Sequence, residues 1–329
     1  MFGQDNCPYG APALCTAWRA DPSRVSTDGY GQAASSIGDQ PPTSAGALSV
    51  VIPVWGRYVP LLAPLVSQLR AGQRLPLTIV VVDNASDVPL PFITGVRVLH
   101  SPRRVSTGAA RNLGLAVVDT DLVVFTDADD RLAPGALDQL AARVSADPEA
   151  VGAVAAMSAY HPAHDLVVPM ALPSAAALAF QHDPVRLGTA MIVKNGLPVV
   201  GPAVWRTRVV RAAGGFADLS YAEDWALGVA LAFRGPVLAA STQLMLVQFH
   251  HGSQITCHGR PAEMLATLAH LHLRWYRDPA IPALVKVAMP LLAIPRLLII
   301  TKRAATRQVS HGATLDRLGN PTLAVPPEP

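Results

Sequence analysis

Residues 121–130 read DLVVFTDADD. An apolar run of four residues, Leu122 to Phe125, leads through Thr126 into three acids within four positions: Asp127, Asp129 and Asp130. A short continuous apolar run is the mark of a strand buried on both faces. Crowded carboxylates repel one another and lose hydration. So many at one strand end call for a partner of opposite charge.

The same pattern recurs on either side. LSVVIPV (48–54), TIVVVD (78–83), VRVL (96–99) and VGAVAAM (151–157) are further apolar strands. Between them lie helical stretches. Residues 58–71 set Leu61, Leu62, Leu65, Val66 and Leu69 on one side. TGAARNLGLAVV (107–118) is a helix of small residues, and PGALDQLAARV (134–144) has Pro134 where a first helical turn tolerates it. Strands separated by helices imply right-handed crossovers and a mostly parallel sheet, an α/β fold. Ligands of such sheets bind beyond the carboxyl ends of the strands. Asp83 and Asp127 both stand there, so they are expected to share one crevice.

Composition narrows the function. The chain has 329 residues, half of them hydrophobic, and a net charge of +3. No basic stripe is interleaved with aromatics, so nucleic acid is not an expected partner. Cys7, Cys15 and Cys257 have neither zinc-finger spacing nor a disulfide framework, which points to a reducing compartment. Residues 1–46 are rich in Gly, Pro, Ser, Asp and Gln and read as a poorly ordered leader without a signal peptide's apolar run. Residues 304–329 read as a flexible tail. No G-x-G-x-x-G follows the first strand, where IPVWGR stands instead, so a dinucleotide site is disfavoured. The Gly-rich basic loop of a nucleotidyltransferase is missing there too.

Six motifs occur in order: IPVWGR, VVDNASD, TGAARNLGL, FTDADD, AEDWALGVAL and FHHGS. Together, over residues 48–256, they resemble the family 2 glycosyltransferases. The resemblance implies a GT-A fold, a Rossmann-like mixed and mostly parallel sheet flanked by helices, over residues 47–258. C-terminal helices would follow at 259–303. It implies transfer of a sugar from a nucleotide-diphosphate sugar, a UDP-sugar in preference to GDP, to an acceptor hydroxyl with inversion. The alternative is a silent nucleotide-sugar binding or scaffold protein, against which the retained acids argue.

Roles follow residue by residue from the resemblance. Asp127-Ala128-Asp129 forms the Asp-x-Asp element. Asp129 would ligate a divalent cation, Mn²⁺ or Mg²⁺, hard ions that prefer carboxylate oxygens and water. Asp127 would contact the ribose or the metal's water shell, and Asp130 either joins them or caps the next turn. Asp83 would accept a hydrogen bond from the nucleobase, or else cap the Asn-Ala-Ser-Asp turn. Pro53 and Val54 would flank the base. Arg57 would reach phosphate or form a surface ion pair. Arg111 would lie beside base or diphosphate, or pair with Asp83. Asp224, in the first turn of a helix over 222–234, would be the general base, with Glu223 orienting the acceptor. Their bland reading is complementation of the helix dipole. Gly214-Gly215-Phe216 would shape the turn beneath the acceptor, and Trp225 would pack in the core. His250 and His251 compete as a third metal ligand: His251 keeps the family's spacing to Thr256, His250 a shorter one to Ser253. Residues 160–200 show no clear period.

The segment 261–277 reads as a helix bearing Met264, Leu265, Leu268, Leu271, Leu273 and Trp275. AIPALVKVAMPLLAIPRLLIIT (280–301) is apolar but broken by Lys286, Arg296 and three prolines. Charges at such positions disfavour a membrane span. An interfacial segment followed by Lys302, Arg303 and Arg307 is one reading. A helix covering the catalytic core, or a dimer contact, is the other. A GC-rich bacterial composition and a cytoplasmic enzyme at the inner face of the membrane would suit a lipid-linked, polysaccharide or small-molecule glycoside acceptor.

Overall fold

The computed structural model describes residues 48–161, 166–170, 172–248 and 261–313. Strand β1 (Leu48–Val54) is buried along its whole length. Its side chains alternate between two apolar layers. Leu48, Val50, Ile52 and Val54 pack with α1 (Val59–Arg70) and α3 (Ala136–Ala146), and Val51 packs with α2 (Thr107–Ala116) on the other face. A strand sandwiched in this way needs apolar residues at every position, hence the unbroken run.

β1 pairs in parallel with β2 (Leu77–Asn84) on one side and β4 (Leu122–Phe125) on the other. β3 (Val96–Ser101) extends the parallel half beside β2. Beyond β4 the sheet changes character. β8 (Ala203–Arg206) runs antiparallel to both β4 and β6 (Gly152–His161). β9 (Val237–Gln248) lies parallel to β6, and the short β5 (Asp130–Leu132) closes the edge antiparallel to β9. β7 (Leu166–Pro169) pairs only with β6, giving the order β3-β2-β1-β4-β8-β6-β9-β5. The expected mixed, mostly parallel sheet flanked by helices is what forms.

Helices α4 (Ala175–Ala179), α5 (Pro184–Val193), α6 (Thr207–Ala212) and α7 (Glu223–Ala232) cover the face that also receives α2. α8 (Pro261–Arg277) and α9 (Ala283–Ala313) pack on that layer.

Two local expectations are corrected, and one proline is accommodated. Pro134 does not open α3: Gly135 intervenes as N-cap with φ 70°, a left-handed conformation incompatible with a helical first turn. Pro64 sits inside α1 without ending it. It is exposed, so the carbonyl it leaves unpaired faces water. Likewise α9 contains Pro290 and Pro295 and runs on to Ala313, into the stretch expected to be a flexible tail from 304.

The junction of the two sheet halves is tight. Gly152 lies beneath the buried Trp205, whose indole N–H donates to Val199 O at 3.0 Å. A Cβ at Gly152 would stand 2.7 Å from Val204 O and within the Trp205 ring surface. Gly152→Ala should therefore cost about 1–3 kcal/mol of overpacking. Urea unfolding monitored by tryptophan fluorescence would register it as a lower midpoint with unchanged slope.

Candidate active site

The parallel register sets the crevice. Val54 stands opposite Asp83, and Phe125, two residues before Asp127, stands opposite Val51. Asp83 and the Asp127–Asp130 turn thus flank the carboxyl end of β1, with Pro53 and Val54 between them. Asp83 is largely buried and caps the following turn: Oδ1 accepts the Ser86 N–H at 2.9 Å, and Oδ2 lies 3.0 Å from His100 Nδ1. Arg111 does not pair with Asp83. Arg57 is exposed, its guanidinium 5.1 Å from the Tyr58 ring centroid and donating to the Tyr58 hydroxyl.

Within the acidic turn the three carboxylates separate into distinct environments. Asp130 is buried, and its Oδ2 accepts from Thr126 Oγ1 at 3.1 Å and from the Asp127 N–H at 2.9 Å. It is the turn cap among the readings left open. Burial, then Asp127 and Asp129 beside it, drives its carboxyl well above the usual carboxylate range. Asp127 and Asp129 are half-buried. Asp127 Oδ1 accepts from Arg111 Nη2 at 2.7 Å.

Arg111 is itself buried, on α2. Its Nη1 donates to Glu223 Oε1 at 2.8 Å, and its guanidinium lies 5.3 Å from the Phe216 ring centroid. Burial alone would lower its pKa, but Asp127 and Glu223 together outweigh that and hold it above the ordinary arginine value. One cation therefore joins the Asp-x-Asp turn to the acid pair that opens α7, side chains 16 and 112 residues away in sequence.

Helix α2 is shaped for this. Ser106 caps it by accepting from Ala109 N and donates to Asp218 Oδ1 at 2.6 Å. Gly108 lets the 217–223 segment approach: a Cβ there would stand 2.5 Å from Ala217 O and 3.1 Å from Glu223 Cγ. Asn112 holds Phe216 through both backbone groups, at 2.9 Å each, so it pins the Gly-Gly-Phe turn.

At the start of α7, Glu223 is largely buried. Burial lifts its pKa, Arg111 pulls it down and Asp224 pushes it up, and the balance is a raised value. Asp224 is half-buried, and its Oδ2 accepts from Asn195 Nδ2 at 3.2 Å. Asn195 lies in the 160–200 stretch that the sequence left unread. Its only signal was an Asn-Gly pair closing a helix, which is common enough to pass as a turn. Trp225 is buried as expected, donating to Met191 O and meeting Trp275 edge-on at 5.4 Å.

His250 and His251 lie outside the described residues. Among the described residues no three His, Cys, Asp or Glu side chains converge to hold a metal by themselves. The donor set still suits a hard cation that takes one or two carboxylates and completes its shell with substrate phosphate and water. Asp129 and Asp127 are the carboxylates nearest that role, both half-buried at the strand end.

Comparison with known proteins agrees with this geometry. Crystal structures of Staphylococcus aureus TarS residues 1–349 share the fold. The complex with UDP-GlcNAc superposes with a TM-score of 0.57 at 15% identity, covering 82% of this chain and 76% of that one. The complex with UDP gives 0.55 at 14%, with the same coverage. The fold is thus of the GT-A type. No curated protein matches the sequence. Residues 49–162, which carry β1 to β6 and the acidic turn, match the model of Glycosyl transferase family 2. The matched segment is about a third of the chain.

Removing the central cation should expose what it balances. Arg111→Met should cost about 3–5 kcal/mol, because it leaves Glu223 buried and unpaired. In that variant burial and Asp224 both raise the Glu223 pKa, and of the influences that lower it only a backbone hydrogen bond remains. A raised folded-state pKa gives stability that is present at low pH and lost as pH rises through that value. The deficit of Arg111→Met, measured by urea unfolding, should therefore be larger at about pH 8 than at about pH 5. Adding Glu223→Gln should recover part of it.

Proposed function

We propose that the protein transfers a sugar from a UDP-sugar to an acceptor hydroxyl with inversion, Asp224 acting as general base. The observation that carries this reading is the Asp127–Arg111–Glu223 bridge. It fixes the donor-binding turn and the acid pair as one body, so a base and a leaving diphosphate can be held on opposite sides of one anomeric carbon. Preorganisation of this kind needs no rearrangement as the reaction proceeds.

On the donor side, Asp83 suits the N3–H of a uracil, with Pro53 and Val54 along the base. UDP and UDP-GlcNAc bound to TarS, of the same fold, favour the uridine reading. Arg111 acts through Asp127 and Glu223, since both of its terminal nitrogens are engaged there. Asp129, with Asp127, would hold Mn²⁺ or Mg²⁺, and one of His250 and His251 would assist. Such an ion, when bound, offsets the charge that develops on the diphosphate.

On the acceptor side, Asn195 holds one oxygen of Asp224 and so directs the carboxylate. The acceptor oxygen attacks the anomeric carbon as the bond to the diphosphate breaks. Its proton passes to Asp224, and the diphosphate leaves with the electron pair. Glu223, anchored by Arg111, stays in place as an orienting group. A cell-envelope glycolipid, polysaccharide or small glycoside would serve as acceptor.

Two measurements test this. UDP with Mn²⁺ should raise the melting temperature in proportion to its saturation. Asp129→Ala should abolish the part that depends on metal, and GDP should not substitute. In a UDP-release assay Asp224→Asn should lower kcat by about 10²–10⁴ while leaving the UDP shift intact. Asn195→Ala should lower kcat less and leave donor KM unchanged. A protein that no nucleotide shifts, with or without metal, would be a silent scaffold instead.

A further inference from the structure

α9 is apolar on two opposite faces. Val285 and Met289, with Ile281 just before the helix, are buried against the core cluster, and Arg296 lies 4.9 Å from the Trp225 ring on that inner side. The outer side carries Leu284, Val287, Leu291 and Ile294, exposed by 81%, 78%, 69% and 46%. Their spacing of three, four and three residues makes one stripe, roughly 15 Å long at 1.5 Å per residue. Isolated exposed leucines need no explanation, but a contiguous stripe of this kind marks an interaction surface.

Charge indicates the partner. The helix contains Lys286, Arg296, Lys302, Arg303 and Arg307 and no Asp or Glu along its 31 residues. Arg296 is turned inward, and Lys302, Arg303 and Arg307 follow the stripe in sequence along the same helix. A water-exposed apolar stripe ending in cations, with no acid to repel phosphate, complements an anionic phospholipid surface. No helix among the described residues is long and apolar enough to cross a membrane. This helix would lie along the surface instead.

We infer that the outer face of α9 docks the protein onto an anionic bilayer, with Leu284, Val287, Leu291 and Ile294 in the acyl boundary and the basic residues at the headgroups. The inner face of the same helix touches Trp225, the neighbour of Asp224, so docking places the acid pair on the lipid side of the molecule. That last consequence, a hydroxyl presented from a lipid, rests on the role proposed for Asp224. The docking itself does not.

The test is flotation of the full chain with vesicles of phosphatidylcholine, with and without phosphatidylglycerol. The wild type should float with the anionic vesicles and stay down with the neutral ones, and salt should weaken its binding. Leu284→Gln with Leu291→Gln removes two exposed side chains and should reduce binding about a hundredfold, near tenfold for each. Its thermal unfolding should match the wild type, because neither residue contacts the core. Lys302→Glu should weaken anionic binding about fivefold or more. A wild type that floats with neither vesicle overturns the inference, as does a double variant that floats as well as wild type. A dimer in sedimentation that the double variant dissociates would assign the face to a second copy of the chain. The UDP-induced thermal shift is read separately, so loss of flotation with an intact shift counts against docking alone.

Discussion

One buried guanidinium organises this molecule. Arginine cannot shed its charge inside a protein, so its burial is tolerable only with carboxylates in fixed positions. Arg111 has two, one on the strand-end turn and one at the start of α7. The sheet supplies the first and the later half of the chain supplies the second. Separating them would strand a cation on the face of Phe216. The closeness of α2 to the 217–223 segment, the lack of a side chain at Gly108 and the grip of Asn112 on Phe216 all serve that contact.

The acid pair is held at some conformational cost. Ala222, the N-cap of α7, has φ 63° and no side chain able to cap. A non-glycine residue in the left-handed region costs of order 1–2 kcal/mol, and such strain survives only where neighbours over-determine the backbone. Here they do. Glu223 is tied to Arg111 on one side, and Trp225 is tied to Met191 O and wedged against Trp275 on the other. Asp224 stands between these anchors. Its backbone has no freedom to follow solvent, so its carboxylate is aimed by the fold and by Asn195.

The parallel half was legible because local rules wrote it. Apolar runs declared β1, β2 and β4, the helical period declared α1, and the acids at strand ends followed from parallel topology. The antiparallel half was not. β8 and β5 span four and three residues, too few to show a period, and their pairing depends on partners far away in sequence. Arg111 shows the same limit. Its residue type and helix were readable, but the one ion-pair partner weighed was Asp83, and the fold gives it Asp127 and Glu223 instead. Asn195 was invisible because an amide in a loop carries no signature until its carboxylate is placed. Pro290 and Pro295 misled in the opposite direction, since α9 absorbs both and continues.

The C-terminal helices belong to the site as much as the sheet does. Arg274 of α8 donates to the carbonyls of Ala213 and Gly215, the same turn that Asn112 holds from the other side. Trp275 reaches Ala226 O inside α7, and Arg296 of α9 covers Trp225. The Gly-Gly-Phe turn and the start of α7 are thus clamped between α2 on one side and α8–α9 on the other. Two independent sets of contacts converge on one short segment, residues 213–226.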